Sequence, residues 1–216
     1  MHAKVFDYRL LRLIMGTIAF CLPLVVDAFS STELASISAS YHTEARDLFV
    51  GLLFVVGALL LGYRGHSTRE NRISNIAALA AIGVALFPTA RLPGTGGLMA
   101  DIHYVCAIVL FSILAWFCLG PFRLNTKGKG GKRGRRARVY MASGCVIIGS
   151  MAGLAIAKLL FNAETLRAWE VTYWAELLAL WAFGVAWITA GKVLPFLVSE
   201  EEALNPFGGH RAQASS

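Results

Sequence analysis

The sequence predicts an all-α polytopic membrane protein, a single bundle of six transmembrane helices with both termini on the cytoplasmic side. Three observations carry that prediction. The composition is that of a chain whose solvent is lipid: 56% hydrophobic and 15% charged, with a mean hydropathy of +0.60, where a soluble domain is about 45–50% apolar and about 25% charged. The few charges are bunched between continuous apolar runs close to the roughly 20 residues needed to cross a bilayer. Lysine and arginine also concentrate on alternate connections between those runs.

The runs are apolar without alternation, which selects helices over barrel strands, and a helix satisfies its own backbone hydrogen bonds in lipid. The first span, residues 10–29, follows the basic residues Lys4, Arg9 and Arg12. Its Val26-Asp-Ala28 loosely matches a cleavage site, but the run exceeds the roughly 7–15 residues of a signal-peptide core, so it is expected to be retained. The second, 47–63, carries Gly51, Gly57 and Gly62. The third, 73–90, is rich in alanine, and the fifth, 139–161, holds Gly144, Gly149 and Gly153. Small residues of this kind let membrane helices approach closely. The fourth span is 102–122 and the sixth 171–193. Short connections make successive spans antiparallel neighbours. Pro23 alone interrupts a span well inside its ends, so the paired broken helices of many transporters are not expected. The transmembrane domain is thus 1–198, followed by a polar tail, 199–216, expected to be flexible.

Orientation follows the basic residues. The connection after span two holds Arg64, Arg69 and Arg72. That after span four holds Arg123, Lys127, Lys129, Lys132, Arg133, Arg135, Arg136 and Arg138. On the other connections Arg46, Arg91 and Arg167 are offset by Glu33, Glu44, Asp101, Glu164 and Glu170. Both termini are therefore expected to be cytoplasmic. The net charge of +7 lies mostly in 123–138, a glycine-rich loop read as flexible, fixing topology and touching anionic headgroups. It has no aromatic residue for stacking beyond residue 123, so nucleic acid is not an expected partner; membrane lipids are. Cys21, Cys106, Cys118 and Cys145 all fall inside predicted spans without a CxxC pair, and read as free, buried, small apolar residues. No cofactor and no metal site are expected.

The outer connections and span ends supply the candidate site. If 38–47 is helical, Ser40, Thr43, Glu44, Asp47 and Gly51 share one face, and His42 and Arg46 another. Asp47, where lipid begins, is expected to point into the bundle, either toward a ligand or as a carboxylate favoured by the helix dipole with Ser40 or Thr43 capping. Arg91 follows Phe87-Pro-Thr-Ala in a turn shaped by Pro88 and Pro93, placed to pair with an anion or to snorkel. Asp101 and His103 open the fourth span; His103 is either a metal ligand or general base, or a hydrogen-bonded interfacial residue. Glu176 lies on a stripe with Trp169, Tyr173, Leu180, Phe183 and Trp187. An acidic side chain at such depth costs on the order of 2.5–3.5 kcal/mol unless paired or neutral, with Arg46, Arg91, His103 and Lys158 as candidate partners. The candidate ligand-binding set is Ser40, His42, Arg46, Asp47, Arg91, Asp101, His103, Tyr173 and Glu176.

Four segments resemble bacterial six-span membrane proteins of a domain-of-unknown-function group, similar in layout to the eukaryotic Frag, DRAM and Sfk membrane proteins. They are Ser36-Ile-Ser-Ala-Ser-Tyr-His42, Ala45-Arg-Asp-Leu-Phe-Val-Gly51, Ala85-Leu-Phe-Pro-Thr89 and Glu176-Leu-Leu-Ala-Leu-Trp-Ala-Phe-Gly-Val-Ala-Trp187. The resemblance implies a six-helix bundle and a membrane address, and supplies no activity. A more distant comparison is with seven-span metal-dependent hydrolases such as alkaline ceramidases and adiponectin-type receptors, whose serine, aspartate and histidines surround zinc. Ser38 or Ser40, Asp47, His42 and His103 are the positions here that would stand in, but the HxxxH pair of the last span has no counterpart.

These residues support a membrane protein with an outer polar pocket that binds a lipid headgroup or small polar ligand, for sensing, lipid organisation or transport. A second reading is an intramembrane zinc-dependent hydrolase of a lipid amide or ester, with Asp47 or Glu176 as general base. A third is a transporter driven by protonation of Glu176.

Overall fold

The computed structural model describes residues 8–65, 67–91, 95, 97–126, 128 and 130–198. Lys4, Pro93 with most of its turn, Lys127, Lys129 and the tail 199–216 fall outside these residues. Among the described residues the chain is helical, with no strand. The helices are α1 (Tyr8–Ala28), α2 (Arg46–Gly62), α3 (Thr68–Leu86), α4 (Gly97–Phe117), α5 (Gly131–Leu160), the short α6 (Ala163–Ala168) and α7 (Val171–Ala190). A 3-10 turn, Ile37–His42, sits between α1 and α2, and a π-turn, Cys118–Phe122, prolongs α4 around Pro121.

Each apolar run read from the sequence coincides with a helix, though the ends move. Four helices are long and apolar enough to cross a membrane: α1, α4 with its π-turn, α5 and α7. The other two do not qualify on length and composition. α2 has 17 residues, about 25 Å at 1.5 Å per residue against a hydrocarbon core of about 30 Å. α3 carries Arg69, Glu70 and Arg72 in its first turns.

The ends have local causes. Ser67 accepts from the Glu70 N–H at 3.2 Å and donates from Oγ to its carboxylate at 3.4 Å, a capping box that starts α3 six residues or so before the apolar run. α3 stops at Leu86 because the residue before Pro88 is forced out of the helical region, and Phe87 is extended. Asn162 caps α6 by accepting from the Thr165 N–H at 2.8 Å.

One expectation is overturned at the start of α5. The basic run was expected to be a flexible loop, but from Gly131 onward it is helix, so Lys132 to Arg138 occupy its first turns. Cations there oppose the helix dipole. Their compensation is the segment after α7: Lys132 Nζ donates to the carbonyls of Pro195 and Val198, both at 2.8 Å, and the buried Arg136 donates to Leu197 O at 2.9 Å.

The six long helices form a ring in which each packs on its neighbours in the chain, and α7 closes it against both α5 and α1. In lipid, apolar transfer does not drive helices together, so close packing and interhelical hydrogen bonds must. The α1–α7 crossing shows this best. A Cβ on Gly16 would lie 2.6 Å from Ile188 N and 2.8 Å from Gly184 O; one on Gly184 would lie 2.9 Å from Gly16 O. Nearby, Trp181 donates to Phe20 O at 3.1 Å while its ring stacks on Phe20 at 5.3 Å. Ser74 of α3 donates to Leu60 O of α2 at 2.7 Å.

Of the small residues marked in the sequence, Gly57 fits against Ile82 and Ala78, Gly144 against Leu119 and Cys118, and the α3 alanines are buried. Gly51, Gly149 and Gly153 touch nothing within 4 Å of where a Cβ would stand. All four cysteines are free, as read, but only Cys118 is buried; Cys21 and Cys145 are exposed because they lie on outward helix faces.

Candidate functional site

At the 3-10 end of the ring lies a cavity of about 410 Å³. Its walls come from every part of the chain that meets there. The 3-10 turn supplies Ser36 and Ala39, the turn after α3 Thr89 and Arg91, α4 Tyr104, α5 Lys158, α6 Arg167 and α7 Glu176. Three cations thus face one carboxylate.

Glu176 is half-buried and sits where this cavity meets a smaller apolar slot, about 30 Å³, reaching inward among Leu22, Phe49, Leu110 and Leu180. Its partner is one the sequence did not suggest. The Ser38 N–H donates to Oε2 at 3.0 Å, and the Ser38 hydroxyl donates to Oε1 at 3.3 Å. Of the four candidate partners, Arg91 and Lys158 line the cavity with it. The carboxylate therefore holds the 3-10 turn down on α7 while leaving the cavity's cations unpaired by it.

The 3-10 turn itself corrects the expectation of a helix through 38–47. Ser36 caps it by accepting from the Ala39 N–H at 3.0 Å, and the turn ends at His42. Thr43 donates to Ser40 O and accepts from the Ala45 N–H, so the chain breaks before α2 begins at Arg46. The helical faces read across that break do not exist. Ser40 is wholly buried and donates to Ile37 O at 2.7 Å, spent inside the turn rather than on the cavity. Asp47 is exposed on the outside of α2, not turned into the bundle, because α2 starts one residue earlier with a new register. Glu44 lies between turn and helix, where it accepts from Ser31 N–H and Oγ at 3.3 and 2.9 Å.

His42 and Arg91 do come together. Arg91 Nε donates to His42 Nδ1 at 3.3 Å, and His42 Nε2 donates to Thr89 O at 2.7 Å, which fixes the neutral ring with its proton on Nε2. Arg91 is thereby steered to the cavity rim. Arg46 instead lies over the Tyr41 ring at 4.6 Å and donates to its hydroxyl at 3.1 Å, away from the cavity lining. Asp101 is exposed at the start of α4 and Tyr173 packs beside the core; neither lines the cavity. His103 is 1% exposed and donates from Nδ1 to Phe87 O at 2.8 Å, closing the end of α3. That is the interfacial hydrogen-bonding role of the two considered for it.

The lining residues that sequence reasoning did not place in the site are Ser36, Thr89, Tyr104, Lys158 and Arg167. Lys158 had a visible signal, being the one charged residue within 139–161. Its ammonium lies 5.5 Å from the centroid of the Tyr104 ring, reaching from α5 to α4. Arg167 was counted as a charge on a connection, and only the folding of α6 over the ring brings it to the cavity.

For zinc chemistry three or more donors must converge, and among the described residues no group of three His, Cys, Asp or Glu does. Asp47 is remote from the cavity, and both His42 and His103 commit a ring N–H to a carbonyl. What the arrangement offers chemically is a set of fixed cations around a water-sized to headgroup-sized space, with a serine-held carboxylate at its floor.

Fold and site together define a class: an all-helical protein with four helices of membrane-crossing length and apolarity, carrying a cationic cavity at one end. No known protein family, curated protein or solved structure matches the chain. The resemblance drawn above stands on its four segments alone.

Proposed function

We propose that this chain is a six-span protein of a bacterial inner membrane, with both termini cytoplasmic, whose cavity faces the outer side and binds an anionic group of the phosphate class, either a lipid headgroup or a small anion. The observation that carries the reading is the convergence of Arg91, Lys158 and Arg167 from three separate segments on one cavity. Three cations against the single carboxylate of Glu176 leave a net +2 around the space. Fixed positive charge in a partly enclosed site attracts anions far more strongly than the same residues on an open surface.

The two short helices fit the six-span reading on physical grounds. α2 and α3 pack on each other and into the ring, and at the head of α3 Glu70 is buried while Arg69 lies over the Trp116 ring of α4. The basic ends of α1, α3 and α5 lie at the opposite end of the ring from the cavity, which supports a cytoplasmic assignment for that end.

The test is binding of phosphatidylglycerol by the full chain in nanodiscs of otherwise zwitterionic lipid, with glycerol 3-phosphate as the soluble probe. The double variant Lys158→Glu, Arg167→Glu is expected to lose at least tenfold in affinity for whichever probe binds. Wild-type binding that the double variant leaves untouched, or no binding of either probe, overturns the reading.

A further inference from the structure

The cavity is not closed on all sides. α5 packs firmly through its first half, where Arg136, Ala137, Tyr140, Ser143, Gly144 and Ile147 are buried. From residue 148 to 160 no residue is fully buried. Leu159 and Leu160 are 85% and 71% exposed. On the facing helix, Val105 and Ile108 are 59% and 64% exposed. α5 leans chiefly on α7 and less on α4. Tyr104 of α4 and Lys158 of α5 both line the cavity, so the loosely packed stretch between these two helices, the seam, leads up to it.

Spacing gives the seam apolar walls below that point. Ile108 lies one turn from Tyr104 on α4; Leu154 and Met151, both half-buried, lie one and two turns from Lys158 on α5. The contact of Lys158 with the Tyr104 ring is the bridge across the seam. Above it, at the level of the cavity, Phe161, Trp169 and Trp174 stand exposed, the residue types that settle at a membrane–water interface. With these rings set at the interface of a bilayer, the cavity comes to headgroup depth and the seam below it to the depth of acyl chains.

Resting on the anion-binding reading above, we infer that the cavity takes an anionic glycerophospholipid that enters sideways from the bilayer. Its phosphate lies among Arg91, Lys158 and Arg167 and its acyl chains run down the seam between α4 and α5. A cationic chamber continued by an apolar seam matches an amphipath with a charged head and apolar chains. A free anion needs the chamber and has no use for the seam. Lys158 exchanges the Tyr104 ring for the phosphate when the lipid is seated.

Phosphatidylglycerol with a photoactivatable diazirine midway along one acyl chain tests this with the full-length protein in nanodiscs. Crosslinks are expected to concentrate on Ile108, Met151 and Leu154 above the background on outward-facing positions such as Ile156. They should fall at least fivefold in the Lys158→Glu, Arg167→Glu variant, and excess glycerol 3-phosphate should fail to suppress them. Gly149→Ala, where an added Cβ meets nothing within 4 Å, serves as the folded control with labelling preserved. Crosslinks spread evenly over lipid-facing residues, while glycerol 3-phosphate binds and depends on the same cations, overturn lateral entry and leave a soluble-anion site. Absence of binding by both probes sinks the anion-binding reading with it.

Discussion

The backbone N–H of Ser38 donates to Glu176 Oε2 at 3.0 Å, across 138 residues of chain, and the Ser38 hydroxyl donates to the other oxygen of the same carboxylate. One acidic side chain thereby fastens the turn that roofs the bundle to the last helix. A hydrogen bond to a charged group is worth about 1.5–3 kcal/mol, and a buried donor left unpaired costs about 1–3 kcal/mol. Glu176→Ala is therefore expected to destabilise the protein by about 2–3 kcal/mol on that scale. Glu176→Gln retains an acceptor for the Ser38 N–H and should lose about half as much. Ser38→Ala, which removes only the longer bond, should cost about 1 kcal/mol or less. Thermal unfolding of the three variants in one detergent ranks them; a Glu176→Ala protein as stable as wild type would show that the tie contributes nothing.

Gly16 and Gly184 set the second prediction. Any Cβ at Gly16 meets backbone atoms of α7 at 2.6 and 2.8 Å, and backbone does not step aside as a side chain does. Gly16→Ala should push α1 and α7 apart and cost about 1–3 kcal/mol, the usual penalty of overpacking. Gly149→Ala and Gly153→Ala meet open space, so they should leave stability unchanged or raise it by up to about 1 kcal/mol through helix propensity. Equal effects at all three positions would contradict the packing described.

How much of this was legible in the sequence depends on whether a residue's role was set by its neighbours in the chain. The helices were, because apolar length and charge placement are local. Glu176 was singled out as a carboxylate needing partners, whereas 38–47, read as one helix, is a 3-10 turn ending at His42 and a new helix from Arg46. Their meeting was not visible, since the donor to Glu176 is a main-chain N–H that no residue type announces. Asp47 was expected to point into the bundle and faces outward for a rotational reason. A residue at the lip of a span points inward or outward by about 100° per residue of helix register, and the break at Thr43–Ala45 resets that register. Gly16 and Gly184 passed unnoticed because neither has another glycine within one turn of its own helix; Gly149 and Gly153, spaced like a packing motif, drew attention and pack against nothing.

The pairing of His42 with Arg91 yields a third prediction. His42 Nδ1 is the acceptor that orients the guanidinium toward the rim, so His42→Ala should leave the charge in place but loosely held. A neutral acceptor's hydrogen bond is worth about 0.5–1.5 kcal/mol, so affinity for the anionic probe should fall about two- to tenfold. Arg91→Ala removes the charge itself and should fall further. His42→Ala losing more than Arg91→Ala would mean that His42 acts otherwise than through Arg91.

Glu44 supplies a pH dependence. Its own backbone N–H, and then the hydroxyl and N–H of Ser31, hold the carboxyl below its ordinary value. A depressed pKa in the folded state means that the charged form is the one the fold favours. The stabilisation is present above the ordinary carboxylate range and is lost as pH falls through the folded value. The group is fully exposed, so the effect is local: the Ser31 amide resonance should titrate with a midpoint below about 4.3, the unperturbed value for glutamate. In Glu44→Gln that titration should vanish. A midpoint at or above the ordinary value would remove the Ser31 tie as a contributor.

At the other end of the ring the basic start of α5 makes the last prediction. Arg136 is buried, and it donates to Leu197 O while Lys132 donates to Pro195 O and Val198 O. Leu197 and Val198 are themselves buried, so the carbonyls around them have no water to turn to. Arg136→Ala strips a charged donor from a buried acceptor and should cost about 1.5–3 kcal/mol, whereas Lys132→Ala, at the exposed edge, should cost about 1 kcal/mol or less. Arg136→Lys keeps the charge without the planar fork and should fall between them. Because the same residues also mark topology, the readout must separate the two roles. Protease accessibility of the segment after α7 should rise in Arg136→Ala with the sidedness of both termini unchanged. A change of sidedness with no added accessibility would mean that these cations act on insertion alone and not as a clamp on the finished fold.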